Sequence, residues 1–490
     1  MFFNKNRIGY INMKKFNKDK YLKKLRFKKY KRYLYIGIPC LLVLLIGIYF
    51  AYSKFSVSKD TEVVRTTVGD FISGDVVIGA YIDGKYSSAI PGKNDGYLVE
   101  KIVCDNDASA SWDNDSWGIV LTNLTKRTKC NVYFETKKPP LTEVITTAMN
   151  SNPSMFATDD PDNNVRYIGK DPSNYVYFNC SDYNNQTAST CELWRIIGVF
   201  DNVTKGDGSK ENLVKIIKND FLDSYYWDAK IAIQTDSVVR VGTSQSAYAS
   251  NDWTDSQLMM LLNPADYLKS GYKNSNDIIY DSNDQEIYGK MGSYYNGTGG
   301  CVPTQVNYGE KFECYDRRSY GLRNDTTRNA IEEIIWNLGS TSSDILKKGV
   351  LVSDWYGYER GTVVYSGHAT TWTGKIGLMY PSDYGYATSG GTTKNRSECL
   401  AKDLSSWNSS DFNDCRKNDY LYKSSYNQWT LTPAPSNNAA IVAINDTGRL
   451  DTSANAVYGR HVYPALFLKS NIVVKSGTGE SSNHYQLKLE

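Results

Sequence analysis

Residues 428–433 read QWTLTP, residues 440–444 read AIVAI and run into Asn445-Asp446-Thr447-Gly448, and residues 460–468 read RHVYPALFL. A β-rich run, a second apolar run ending on Asn, Asp and Gly, and a third β-rich run describe a hairpin followed by a closing strand. Asp446-Thr447-Gly448 also spells an aspartic-protease triplet, and Asp451-Thr452-Ser453 nearly repeats it. Both lie in one hairpin, too close to supply opposed carboxylates, so turn chemistry accounts for them.

Working outward, further strands are expected at 175–178, 193–200 and 213–218. A helix is expected after Asp252, carrying Leu258, Leu261 and Leu262 and ending at Pro264. Another should open at Asn324 or Asp325, with Ala330, Ile331, Ile334, Ile335 and Leu338 on one face and Gly339 as its stop. Together with Leu193-Trp194-Arg195-Ile196-Ile197 and Asp252-Trp253, the C-terminal signature resembles a domain of unknown function common in surface and secreted proteins of Gram-positive gut bacteria. The likeness covers roughly residues 164–475, departing at Tyr463 and by a long insertion around 281–320. It implies a large α+β domain, similar to the C-type-lectin-like and formylglycine-generating-enzyme folds, over residues 164–490. Fold analogy does not supply function. The Glu-Pro-Asn and Trp-Asn-Asp triplets of the lectin branch are missing from the sequence.

Residues 1–32 hold thirteen Lys or Arg and one acid, Asp19; the remainder holds 43 basic and 52 acidic residues. An acidic body argues against nucleic acid as a partner. The basic tail, residues 1–33, abuts an uncharged apolar run, residues 34–52 (LYIGIPCLLVLLIGIYFAY), long enough to cross about 30 Å of hydrocarbon as a single transmembrane helix. The positive-inside rule places the tail in the cytoplasm and the C-terminal part outside, as a single-pass signal anchor in the cell membrane. Ala51, Tyr52 and Ser53 leave open a cleaved signal peptide, although the run is longer than the usual signal core. Cys40 lies too early in the run for a lipid-modified cysteine.

The other eight cysteines fall into sequential couples: Cys104 with Cys130, Cys180 with Cys191, Cys301 with Cys314, and Cys399 with Cys415. Four local disulfides in an oxidising compartment is the economical reading. Zinc is disfavoured by the spacings and by three scattered histidines, and no sequence pattern calls for a metal or cofactor. Residues 53–67 read as a spacer. Residues 68–136 read as a small all-β stalk domain, an Ig-like sandwich in which Val76, Ile78, Ala80 and Ile82 alternate before a turn at Asp83-Gly84. Lys137, Lys138, Pro139 and Pro140 open a linker, residues 137–163.

Catalytic signatures fail one by one. Ser270-Gly271-Tyr272-Lys273 lacks its companion motifs, and the calcium-like Asp105, Asp107, Ser109 run lacks the Gly and Glu that close such a loop. What remains is aromatic surface chemistry: 39 Tyr and 10 Trp outnumber 15 Phe, as binding surfaces favour, although an AT-rich genome would enrich Tyr and Asn as well. The expected function is therefore a membrane-anchored bacterial surface protein displaying an adhesin- or receptor-like domain for an extracellular glycan, peptide or protein ligand. The alternative is an extracellular enzyme acting on cell-wall or glycan polymer. The expected binding surface comprises Trp355, Tyr356, Glu359, Arg360, Trp372, Asp383, Tyr384 and Tyr386, among Gly, Ser and Thr with few aliphatic residues to bury them. The competing reading makes Trp355 and Trp372 core residues of a strand pair, 350–356 with 375–380, and exposure decides between the two.

Overall fold

The structure, a computed structural model, describes residues 64–66, 76–122, 127–228, 249–264, 279–280, 286–288, 293–297, 300–305, 311–315, 321–346 and 348–489. The chain divides into two compact units, Met1–Lys137 and Lys138–Glu490.

In the first unit, one sheet runs Lys85–Ser87, Val76–Ile82, Thr128–Thr136, Tyr97–Cys104, and another runs Val64–Thr66, Gly118–Thr122, Ser109–Asp113. Asp83 and Gly84 both take positive φ, 47° and 78°, which is what a two-residue turn between right-twisted strands requires. Ala80, Val132 and Phe134 of the first sheet share a core with Ile119 and Leu121 of the second. That core is small, and the Cys104–Cys130 bridge ties two of its neighbouring strands.

The second unit is organised by two long antiparallel strands, Glu192–Thr204 and Lys210–Lys218. Ala465–Leu468 and then Ile376–Gly377 extend the sheet on one side, while Val165–Tyr167 and Phe156–Ala157 extend it on the other. Residues 194–200 are buried without alternation, so this strand is covered on both faces, which explains why its residues are apolar on both sides with Arg195 the one charge among them. Gly198 is required there, because a Cβ would stand 2.2 Å from the Val165 carbonyl oxygen. A second sheet runs Ser224–Tyr225, Arg460–His461, Gln428–Pro433, Ala440–Ile444, Leu450–Asn455. The Asn445-Asp446-Thr447-Gly448 turn joins its last two strands.

Several expectations need correction. The described residues are mostly β, with 36% strand against 18% helix, so the α+β, lectin-like assignment for the large domain does not hold. The longest helix among the described residues is Leu141–Ser151, inside the stretch read as linker. The helix expected over 324–338 is only Asp325–Asn329, and Ile334–Asn337 is a strand paired with Thr371–Gly374, setting Trp336 opposite Trp372. The apolar spacing there fits either period, and cross-strand aromatic pairing outweighs local preference. Conversely, the strand expected over 350–356 lies largely in a helix, Val352–Glu359. Residues 34–52 lie outside the described residues, and among the described residues no helix is long and apolar enough to cross a membrane.

Three of the expected disulfides are present: Cys104–Cys130, Cys180–Cys191 and Cys399–Cys415. Cys301 is the direct cross-strand partner of Cys314 in the hairpin of Gly300–Gln305 and Lys311–Tyr315. Three bridges in one chain indicate an oxidising, extracytoplasmic environment.

Candidate functional site

Lys215 sits in the middle of an apolar strand, flanked by Leu213, Val214, Ile216 and Ile217, all buried. A charge in that setting must be paired, because an unpaired buried ammonium would cost several kcal/mol. Its Nζ donates to Asp383 Oδ2 at 2.5 Å, with both side chains 1% exposed. Asp383 lies in the first turn of the short helix Pro381–Tyr386, and the same oxygen accepts the Tyr380 backbone N–H at 2.9 Å. Its other oxygen accepts Arg166 Nη1 at 2.9 Å. Arg166, from strand Val165–Tyr167, also donates through Nε to Asp160 Oδ2 at 2.6 Å.

The titration behaviour follows from this sharing. Burial alone would raise the Asp383 carboxyl, but Lys215 and Arg166 outweigh it and hold it at about 2. Lys215 has one anion to itself only in part, so burial, aided by Arg166, draws its ammonium below the usual lysine range despite the attraction of Asp383. Glu359, the last residue of its helix and wholly buried, accepts Ser382 N–H at 2.8 Å and Ser382 Oγ at 2.5 Å. Burial pushes it up to about 7, against the pull of Arg360 and of these hydrogen bonds.

Above this network opens a cavity of about 380 Å³. Its buried lining includes Phe200, Trp336, Tyr380, Phe467 and Lys215, an aromatic floor around one ammonium, with Asn164, Ile334 and Tyr356 beside them. Its mouth carries Asp162, Asp201, Asn202 and Arg360. Arg360 lies over Tyr356, its guanidinium carbon 3.3 Å from the ring centroid. Tyr356 donates to Asp162 Oδ2 at 2.6 Å and accepts from Asn164 Nδ2 at 2.9 Å. The Asp201 backbone N–H donates to Asn164 Oδ1 at 2.8 Å. The Asp201 carboxylate has no hydrogen-bond or ion-pair partner among the described residues, and partial burial, with Asp160 nearby, raises it above the usual carboxylate range.

No family model, curated protein or solved structure matches the chain. What the site does must therefore be read from its own geometry.

Of the residues expected to form an exposed aromatic surface, Tyr356 and Arg360 line the cavity, while Glu359 and Asp383 lie beneath it. Tyr386 packs its ring 5.2 Å from the Arg166 guanidinium. Trp355, Trp372 and Tyr384 are core: they are 2%, 7% and 0% exposed, Trp372 meets Trp253 edge-on, and Tyr384 donates to the Gly448 carbonyl at 2.7 Å. An exposed aromatic platform on this segment is thus corrected. With few aliphatic residues available, the rings themselves are the local core. Asp160, Asp162, Asn164, Arg166, Phe200, Asp201, Lys215 and Trp336 were missed. The signal for Lys215 was in the sequence, a charge inside Leu-Val-Lys-Ile-Ile, but nothing in it named the partner.

Proposed function

We propose that this chain is a surface-displayed recognition protein, held to the cell membrane by residues 34–52, whose second unit binds an extracellular ligand in the cavity above Lys215. The observation that carries the reading is the cavity itself: a buried aromatic floor, a polar mouth, and an Asp201 carboxylate left without a partner. Such a lining suits a small amphipathic group with one apolar face and polar or cationic substituents, such as a sugar ring or a peptide side chain. The disulfides support display outside the cytoplasm, and the likeness of the C-terminal signature to Gram-positive surface proteins points the same way. Lys215 in the floor and Asp383 beneath it are saturated by each other and by Arg166, which suits a rigid base better than a proton-transfer centre.

A glycan and peptide array probed with the purified chain, beside Asp201→Asn and Arg360→Ala, tests this. The expected result is a defined set of ligands whose binding weakens about tenfold in the variants, as the loss of one charged contact would give, with unchanged thermal midpoints. Ligands bound equally by both variants would move the site elsewhere.

A further inference from the structure

The charges in and under the cavity wall settle one by one. Asp383 shares Lys215 and Arg166, and Arg166 also holds Asp160, so these two acids and two bases close on each other. Asp162 stands 4.0 Å from the Arg360 guanidinium, which also donates to the Tyr356 carbonyl at 3.0 Å. Glu359 lies 3.6 Å from the same guanidinium and, on ionising, only adds to the acid side. Neighbouring charges along the chain are paired as well: Lys205, after Thr204, with Glu211, and Asp159, before Asp160, with Arg396. What is left over is the Asp201 carboxylate, at the mouth and without a partner among the described residues.

A lone carboxylate over an aromatic floor selects among the amphipathic ligands that such a cavity takes. A neutral ligand leaves that charge partly desolvated, an anion is repelled by it, and a cation set against it gains a charge-assisted hydrogen bond. The ammonium in the floor does not offset this, because Lys215 is 1% exposed and Asp383 answers its charge. Asn202, Thr204 and Asn337 line the same cavity, and their amide and hydroxyl groups suit a ligand with several hydroxyls. A lysine side chain would offer them a single polar atom. Resting on the reading of this cavity as the ligand site, we propose that it takes an amino sugar whose amine is free and protonated.

In this arrangement the ammonium meets Asp201, the apolar face of the sugar ring lies on the aromatic floor, and the hydroxyls turn toward the polar side chains of the mouth. Asp201 is suited to read the charge because its structural bond is made by the backbone, whose N–H donates to Asn164 Oδ1 at 2.8 Å. Its carboxylate is thereby left for a ligand and is dispensable for the fold. N-acetylation turns the same ring into a neutral amide, so the site separates a deacetylated sugar from an acetylated one by a single charge.

Titration of the purified full-length chain in detergent with glucosamine, glucose, N-acetylglucosamine and glucuronate, followed by ligand-observed NMR, tests the proposal. Glucosamine should bind about tenfold tighter than the other three, the gain from one charged contact. Added salt should narrow the gap, and Asp201→Asn should remove it with the thermal midpoint unchanged. Glucose, N-acetylglucosamine or glucuronate binding as tightly as glucosamine overturns the proposal yet leaves the cavity a ligand site. A preference for the amine that survives in Asp201→Asn overturns it too, since the charge is then read elsewhere. N-acetyl-lysine amide binding tighter than glucosamine, and losing that advantage in Asp201→Asn, would put a peptide cation in place of the sugar. Binding of none of these sugars also overturns the proposal; whether the cavity holds any ligand is then decided separately, by the array and its dependence on Arg360.

Discussion

Glu359→Gln isolates the wholly buried acid of the site that burial pushes toward its neutral form. Glu359 titrates at about 7 in the fold against 4.5 in the unfolded chain. Below pH 4.5 it is protonated in both states and contributes nothing to the pH dependence. Between 4.5 and about 7 the unfolded chain releases its proton while the folded chain keeps it, so the unfolded state is favoured and stability falls as pH rises. At about 1.4 kcal/mol per unit, the loss reaches about 3 kcal/mol by pH 8. Gln mimics the protonated acid: its oxygen can accept the Ser382 N–H, and its amide can donate to Ser382 Oγ, whose hydroxyl accepts as readily as it donates. Any difference in packing or in the contact with Arg360 shifts the variant by a constant amount, and other titrating groups act equally on both proteins. Urea unfolding of wild type and variant at pH 4.5, 6 and 8 should therefore show the variant gaining about 3 kcal/mol relative to wild type across the series. Parallel stability profiles over that range would refute the buried, hydrogen-bonded environment assigned to Glu359.

The acid limb should have the opposite sign: Asp383, at about 2 in the fold against 3.8, contributes about 2 kcal/mol that is present above pH 4 and lost as pH falls toward 2. In acid-unfolding curves Asp383→Asn should remove this limb and lower stability at neutral pH, because it leaves Lys215 and Arg166 buried without their shared anion. Trp355→Ala should lower stability by about 3 to 5 kcal/mol, the range for truncating a buried large aromatic; an unchanged thermal midpoint would place the residue outside the core. Replacing Cys399 and Cys415 together by Ser opens a bridge spanning 16 residues and should cost about 3 kcal/mol by loop closure, read as a drop in denaturation midpoint. Protease added to intact cells should remove residues beyond about 60 and spare the basic tail, as the positive-inside rule requires; recovery of full-length chain from accessible cells would contradict the anchor.

What could be read from the sequence was whatever depends on near neighbours. The Asp83-Gly84 turn follows from backbone permissiveness at positive φ, the strands expected at 175–178 and 213–218 from short β-rich runs, and the cysteine couples from their local spacing. Composition likewise gave the acidic body and the basic tail. Tertiary structure alone settled the rest. Residues 334–337 became a strand, and 352–359 a helix, because pairing with Thr371–Gly374 and burial of Trp355 and Tyr356 outweighed a local pattern that suited either period. The aromatic segment expected at the surface is inside, since exposure depends on what else packs there and not on the aliphatic content of the segment. The site joins Asp160, Arg166, Lys215, Glu359 and Asp383. A charge in an apolar strand announces that it must have a partner, but which carboxylate meets it is decided by sheet order and helix placement over 168 residues, and no local signal carries that.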